Sequence, residues 1–182
     1  MILTASKPSI SIEGGSFDRA LSIEKWRLRD TSTLLSSACT PETCVLKGGA
    51  IGGSGSSVEL KPSSSTAFYQ TIPIHASNEG REMYVTTWAW TSDTEASSTT
   101  AADLVLRLQF FNENDDQLSF EAITAPAVQL EHEKMKFATI STVIPQQTHH
   151  VDVELLLNTP NAVYRISEVD VFPATEYLVP LW

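Results

Sequence analysis

MYVTTWAW, residues 83–90, is the stretch of this chain that decides the fold class. Its β-branched and aromatic residues favour a β-strand over a helix. In a strand, successive side chains point to opposite faces, so Tyr84, Trp88 and Trp90 lie on one side and the residues between them on the other. The side that carries both tryptophans is either the core of a β-sandwich or an aromatic platform for a ligand. The sequence leaves both interpretations open.

Similar alternating segments recur along the chain. In LVLRLQFF, residues 104–111, the even-numbered positions are apolar, whereas Arg107 and Gln109 lie on the opposite side. Further segments at 67–74, 137–143, 151–157 and 163–172 are separated by turn signals, and no long helix is indicated. Residues 32–57 are rich in Ser, Thr and Gly, which predicts a connecting loop. Short strands at this spacing predict an all-β fold, an antiparallel β-sandwich of jelly-roll type.

Composition and charge limit the class of protein. The chain has 182 residues, of which 42% are hydrophobic, so we expect a single domain with a full core. The formal net charge of −10 repels phosphate backbones and anionic lipid surfaces, so nucleic acid is not an expected partner. No apolar run reaches the ~18 residues of a membrane span. We therefore expect no membrane insertion.

Sequence signatures of catalysis are missing from the chain. There is no GxSxG nucleophile elbow. His132 lacks the second histidine of an HExxH zinc motif, and the adjacent His149 and His150 point to opposite faces if they lie on a strand. The carboxylates of residues 113–116 are typical of a solvated acidic turn. We therefore expect a protein that is not an enzyme.

Two cysteines, Cys39 and Cys44, lie close together in the segment CTPETC. They are interpreted as two reduced thiols, as a small disulfide loop formed in an oxidising compartment, or as a metal or redox pair. The spacing is not CxxC and no further ligand lies nearby, which argues against the metal or redox interpretation. The choice between free thiols and a disulfide stays open.

Short motifs follow one another in a recognisable order between residues 13 and 172. In chain order they are Gly14-Gly15-Ser16-Phe17-Asp18, Trp26, Phe68-Tyr69-Gln70-Thr71-Ile72, Tyr84 to Trp90, Leu108 to Asp116, Ile140 to Pro145 and Ile166 to Val171. This order resembles that of jelly-roll carbohydrate-binding modules of the galactose-binding-domain-like type. The resemblance implies a β-sandwich, and it implies sugar binding only as an analogy, because one fold hosts many functions.

A structural calcium ion is a second implication of this resemblance. Many family members hold calcium between the opening acid and the paired acids of the last strand. The matching residues here are Asp18 and Glu168, whereas Gly14 replaces the family's opening Asn and Ser167 replaces one of its paired acids. Calcium takes about six to eight oxygen ligands. The two matched carboxylates are therefore only the beginning of such a site.

Aromatic and polar side chains on the strands are the candidates for ligand binding. Sugar rings stack on aromatic faces, and nearby amide, carboxylate or guanidinium groups satisfy their hydroxyl groups. The main candidates are Trp88, Trp90, Tyr84, Arg107 and Gln109, and further ones are Trp26, Tyr69 and Gln70. Core packing is the competing role for each aromatic residue. In the family, the concave sheet often supplies the binding face.

The two ends of the chain suggest docking on a larger assembly. We predict an N-terminal arm at residues 1–12, the jelly roll at 13–172 and a C-terminal tail at 173–182. The tail ends in YLVPLW, and packing against its own sandwich is the alternative to docking. The residues predicted to dock are Tyr177, Leu178, Val179, Leu181 and Trp182.

These features together predict a non-catalytic structural or attachment component of a larger assembly. A virion part, such as a head decoration or tail-fibre protein, fits a chain that starts with Met and shows no signal peptide. We expect cytoplasmic synthesis followed by a virion or extracellular location. A homo-oligomer or virion scaffold is the expected protein partner, and a glycan is an additional one. The alternative is a carbohydrate-binding module accessory to a secreted glycoside hydrolase.

Overall fold

Two antiparallel β-sheets form the protein in the computed structural model. The structure describes residues 10, 17, 23–48, 56–92, 102–118 and 122–173. Within these residues the regular structure is β-strand apart from short turns, isolated β-bridges and 3₁₀ residues, which include the turn at Ala76–Asn78. The predicted all-β sandwich is confirmed. No helix in the described part of the chain has the length and apolar character needed to cross a lipid bilayer.

Seven strands form the larger sheet and five form the smaller one. The seven-stranded sheet contains β1 (Arg27–Asp30), β2 (Ser36–Ala38), β5 (Thr66–Pro73), β7 (Ala102–Phe111), β8 (Ile123–Thr124), β9 (Val128–Leu130) and β11 (His150–Leu157). The five-stranded sheet contains β3 (Val45–Gly48), β4 (Ser56–Leu60), β6 (Glu82–Thr91), β10 (Lys136–Val143) and β12 (Tyr164–Pro173). Their orders are β2-β1-β5-β11-β7-β8, with β9 also paired to β7, and β10-β6-β12-β4-β3.

The core is built from the inward sides of the alternating strands. In β7, Leu104, Leu106 and Leu108 are buried, as their alternation predicted. In β6, the buried inward side is formed by Met83 and Val85 together with residues 87 and 89. The side that carries Trp88 therefore faces outward. The two tryptophans of this side differ, because Trp88 is 39% exposed whereas Trp90 is buried at 3% exposure.

An aromatic group closes one part of the core. Trp26 and Phe68 are fully buried and stacked, with ring centroids 4.3 Å apart. Phe17 lies 5.6 Å from Trp26 and 6.0 Å from Phe68. Trp26 is therefore a core residue and presents no surface to a ligand. Gln70, another candidate, is also buried, at 4% exposure.

A disulfide bridge between Cys39 and Cys44 closes the crossover from one sheet to the other. Cys39 directly follows β2, at the edge of the seven-stranded sheet, and Cys44 directly precedes β3, at the edge of the five-stranded sheet. The two Cα atoms are 5.5 Å apart, within the usual range for a disulfide. The disulfide interpretation is the one that the structure adopts.

Strand β12 contains a β-bulge between Ile166 and Glu168. Before the bulge Arg165 pairs with Trp90, and after it Glu168 pairs with Trp88. A bulge adds one residue to one strand, so side chains on either side of it keep facing the same way despite an odd spacing. Arg165 and Glu168 consequently lie on the same outer face.

Short strands occupy part of the Ser- and Gly-rich segment. Residues 32–57 were predicted as a loop, but β2 and β3 lie within them and β4 begins at Ser56. Strands of three to five residues carry too few alternating positions to stand out in a Ser- and Gly-rich background. Most of the arm at 1–12, and the tail beyond residue 173, lie outside the described residues. The domain boundaries stay predictions.

Candidate functional site

The predicted ligand-binding residues lie on two different sheets. Arg107 and Gln109 are on β7, on the outer face of the seven-stranded sheet. Tyr84, Trp88 and Trp90 are on β6, on the outer face of the five-stranded sheet. The outer faces of a sandwich point in opposite directions, so these five side chains cannot meet at one ligand. The sequence could not separate them, because alternation gives the face of a strand but not the sheet it joins.

A charged cluster occupies the centre of the outer face of the seven-stranded sheet. It consists of Arg29 from β1, Arg107 from β7, and Asp152 and Glu154 from β11. The Glu154 carboxylate forms ion pairs with both guanidinium groups, and its side chain is fully buried. Arg29 Nη1 also lies 3.5 Å from Asp152 Oδ2. The strand register creates this contact set, because Arg107 and Glu154 are direct cross-strand partners.

Burial and electrostatics hold the charged cluster in a fixed geometry. Burial and the neighbouring Arg29 lower the pKa of Arg107 below its usual value. Removing one partner of a buried ion pair leaves an uncompensated charge, which typically costs about 3–5 kcal/mol. The cluster holds two guanidinium groups and two carboxylates, so its formal charges balance.

Hydrogen-bonding groups surround the charged cluster on the same face. The Thr71 hydroxyl donates to Asp152 Oδ1 at 2.5 Å, and Arg29 Nη2 donates to Gln109 Oε1 at 3.5 Å. Tyr69 Oη lies 2.8 Å from the Ser36 hydroxyl. The Arg29 guanidinium lies over the Tyr69 ring, 4.5 Å from its centroid. Donors and acceptors are thus arranged beside a ring that is itself covered by an arginine.

Aromatic and apolar side chains border the charged cluster along the strands. On one side, Phe111 and His150 are cross-strand partners with stacked rings, 4.9 Å between centroids. On the other side, Ala67, Val105 and Leu156 form a small apolar group separate from the main core. The face therefore combines ring surface, apolar surface and fixed polar groups, which is the composition of a small-ligand site.

Sequence reasoning missed most of the charged cluster. It nominated Arg107 and Gln109, but not Arg29, Asp152 or Glu154. The available signal was in VDVELLL, where both acids fall on the same side of a strand that is otherwise apolar. Acids at such positions need cationic partners when they are buried, and here the partners come from strands distant in the chain.

The outer face of the five-stranded sheet has a different character. Trp88 is 39% exposed and Phe137 is 46% exposed, with their ring centroids 4.8 Å apart. Tyr84 stacks on Phe172 at 5.7 Å. Trp90, by contrast, is only 3% exposed and lies under the Arg165 guanidinium. Of the two predicted tryptophans, only Trp88 offers a ring to a ligand.

The predicted calcium site is only half within the described residues. Asp18 lies outside them, and Glu168 is exposed on the outer face of the five-stranded sheet. Partial desolvation of its carboxylate, followed by the neighbouring Asp170 carboxylate, raises the pKa of Glu168 above its usual 4.5. Among the described residues there is no group of three or more His, Cys, Asp or Glu that could hold a metal ion. The calcium site stays a prediction, as does the docking role of residues 177–182, which are also outside the described chain.

Comparison with known proteins identifies the fold. No family model and no curated sequence matches the chain. Among solved structures, the CBM22-1 xylan-binding domain from Paenibacillus barcinonensis is similar, with a TM-score of 0.61, 13% identity and coverage of 93% of this chain and 97% of that domain. TmCBM61, solved in complex with β-1,4-galactotriose, has a TM-score of 0.54, 11% identity and coverage of 83% and 90%.

A viral protein shows the same fold. The enzymatically active domain of tailspike protein 4 from bacteriophage CBA120 has a TM-score of 0.54 and 13% identity, and the match covers 87% of this chain but only 20% of that one. The chain thus spans about a fifth of the tailspike structure that it matches. At these identities the similarities establish the fold alone. The chain is a β-sandwich with the jelly-roll, galactose-binding-like fold of carbohydrate-binding modules, as the motif order predicted.

Proposed function

We propose that the protein is a non-catalytic glycan-binding component that attaches a larger assembly to a carbohydrate surface. The outer face of the seven-stranded sheet is the proposed glycan site. The observation that carries this proposal is the charge-balanced cluster of Arg29, Arg107, Asp152 and Glu154. A cluster with equal numbers of opposite charges favours an uncharged ligand rich in hydrogen-bonding groups over an anion or a cation.

The physical chemistry of sugar recognition supports this choice of face. Hydroxyl groups both donate and accept hydrogen bonds, so a sugar needs fixed donors and acceptors side by side. Guanidinium and carboxylate groups held by each other lose little conformational freedom on binding. The stacked rings of Phe111 and His150 supply apolar surface at the border of the same face. Together these groups can orient a sugar ring and satisfy its hydroxyl groups.

The same contacts argue against catalysis. A general acid needs a protonated carboxyl and a base needs a free one, each with a pKa near the working pH. Both guanidinium groups hold Glu154, and Arg29 and the Thr71 hydroxyl hold Asp152. Both carboxylates therefore hold the two guanidinium groups in place, and the proposed role of the cluster is binding through the partly exposed Arg29 and Arg107.

The proposed assembly is a virion, with a virion or extracellular location. The similarity to part of a bacteriophage tailspike supports a viral context. The alternative is a module accessory to a glycoside hydrolase, which is supported by the similarity to a CBM22-1–GH10 xylanase of Clostridium thermocellum, solved with xylohexaose, at 8% identity and a TM-score of 0.60. The proposed protein partner is a scaffold or a second copy, and residues 177–182 are the proposed docking segment.

Glycan binding is tested with a glycan array followed by calorimetry on the strongest hit. Gln109→Ala and Phe111→Ala should each weaken binding about tenfold, the cost of one polar or stacking contact of roughly 1.4 kcal/mol. Thr139→Ala is the matched control, because Thr139 is exposed on the opposite sheet. Binding that both site variants retain in full, or no binding across the array, would refute the proposal.

Assembly is tested separately by light scattering. The full chain is compared with a chain that ends at Ala174. Under the assembly hypothesis, the full chain forms an oligomer that falls to a monomer on truncation, while circular dichroism stays unchanged. A monomer in both cases, with glycan binding intact, would favour the accessory-module alternative.

A further inference from the structure

The outer face of the five-stranded sheet carries an aromatic strip that the proposed glycan site does not use. We define the strip as Tyr84 and Trp88 on β6, Phe137 on β10 and Phe172 on β12. The register pairs Phe137 with Trp88 and Phe172 with Tyr84. Trp88 and Phe137 are 39% and 46% exposed, and Val143 on the same face of β10 is 56% exposed. Contiguous apolar exposure of this kind marks an interaction surface.

Carboxylates accompany the rings of the aromatic strip. Glu168 is the cross-strand partner of Trp88, and Asp170 follows on the same face of β12. Glu82 hydrogen-bonds to Tyr84 and raises its pKa. Neither Glu168 nor Asp170 forms an ion pair with a lysine or arginine of the described chain. The strip thus presents two aromatic–carboxylate pairs, Trp88 with Glu168 and Tyr84 with Glu82. The charged groups of both pairs are carboxylates.

Two other aromatic–carboxylate pairs of the described chain each contact an arginine side chain. On the same face, Arg165 lies over the Trp90 ring at 5.5 Å and its Nη1 is 3.3 Å from Glu59 Oε2. On the opposite sheet, Arg29 lies over Tyr69 at 4.5 Å and forms an ion pair with Glu154. In both places a guanidinium covers a ring and meets a carboxylate. This geometry suits arginine, which stacks on aromatic faces and pairs with carboxylates at the same time.

Trp88 and Glu168 repeat this arrangement two positions along β6, without an arginine from the described chain. We propose that the aromatic strip binds arginine side chains of a partner protein. The two aromatic–carboxylate pairs are centred on Trp88 and Tyr84, four residues apart on one strand, or about 13 Å. An extended partner segment with arginines four residues apart matches this separation.

The negative charge of the strip favours a cationic partner over a second copy of the chain or a neutral glycan. The net charge of −10 opposes a second copy of the chain at this strip, where the carboxylates of the strip would face another acidic surface. The described arginines are also engaged within the chain: Arg29, Arg107 and Arg165 form ion pairs, and Arg27 and Arg81 donate hydrogen bonds. A neutral glycan suits the balanced cluster of the other sheet better than a strip with carboxylates alone. A cationic partner complements the strip.

The test uses the full chain and a blocked pentapeptide, Arg-Gly-Ser-Gly-Arg, observed by NMR titration at 150 mM salt. Shifts of the backbone amide signals of residues 137 and 168, the cross-strand partners of Trp88, should report binding in every variant, and the Trp88 indole signal should shift wherever it is present. Trp88→Ala and Glu168→Gln should each weaken it about tenfold, and replacing both peptide arginines by lysine should weaken it severalfold. Leu35→Ala removes an exposed apolar side chain elsewhere, and Glu113→Gln removes an exposed carboxylate elsewhere. Both controls should bind like the parent protein.

Four results would overturn the proposal. Equal weakening by Glu113→Gln and Glu168→Gln would mean general attraction to an acidic protein. A concentration-dependent dimer that Trp88→Ala abolishes would assign the strip to a second copy. Array glycans whose binding is lost in Trp88→Ala but kept in Gln109→Ala would assign it to sugar, and would also overturn the glycan site on the other sheet. If the peptide fails to bind while Gln109→Ala weakens glycan binding, only the arginine proposal fails.

Discussion

Opening the Cys39–Cys44 disulfide should destabilise the fold by about 2 kcal/mol while leaving its architecture in place. The bridge joins residues with a sequence separation of 5. The loop-closure entropy for such a short loop is roughly 7 cal/mol/K, which corresponds to about 2 kcal/mol at 25 °C. For a chain of this size, that change lowers the melting temperature by about 4–8 °C. The short loop limits the effect, because a longer loop would lose more entropy on closure.

Urea unfolding followed by tryptophan fluorescence measures this change in the oxidised protein, in the reduced protein and in Cys39→Ala/Cys44→Ala. The reduced protein isolates the effect of the crosslink, whereas the double variant adds a packing loss because both cysteines are buried. Glu42→Ala, an exposed change within the same loop, is the control. A difference below about 0.5 kcal/mol on reduction would refute the entropic reasoning. Two titratable thiols in protein kept under oxidising conditions would refute the bridge itself.

Glu154→Gln should destabilise the protein by about 3 kcal/mol or more in urea unfolding, because two guanidinium groups lose their buried partner; a loss below 1 kcal/mol would mean that water solvates the cluster. Hydrogen bonds, chiefly from Ser32 and Ser64, lower the pKa of Asp30 below its usual 3.8. A lowered carboxyl pKa contributes stability above pH 3.8 that is lost as the pH falls through the folded-state pKa. Asp30→Asn should therefore be less stable than the parent at pH 7 but not at pH 1. An equal loss of unfolding free energy at both pH values would contradict this cause. Asp170→Asn should lower the pKa of Glu168 in an NMR titration, and an unchanged pKa would leave burial as its cause.

Local alternation accounts for much of what the sequence predicted. The predicted strand at 104–111 lies within β7, and the predicted strands at 137–143 and 151–157 match β10 and β11 closely. In 104–111 and 151–157 an apolar side alternates with a side that carries charged residues, so the pattern exceeds the noise of composition. In 137–143 the alternation is weaker, because Phe137 and Val143 share the outer side with Thr139 and Ser141. The outward direction of Arg107 and Gln109 follows from the same alternation.

Long-range pairing accounts for what the sequence could not predict. Arg29 on β1 and Glu154 on β11 meet across β5, because both of these strands pair with β5 in the sheet order. No local pattern encodes that order. The difference in exposure between Trp88 and Trp90 also has a tertiary cause, because the Arg165 guanidinium lies over the Trp90 ring.

The bulge in β12 has a consequence for how this strand tolerates changes in length. Without Ser167, Ile166 and Glu168 would be consecutive residues opposite Ala89 and Trp88, which is the pairing of an uninterrupted strand. Deleting Ser167 would therefore leave every later side chain on its present face. Deleting Val169 instead would turn Asp170 and Phe172 toward the interior and Val171 toward solvent. A chain that lacks Ser167 would therefore still present the same outer surface.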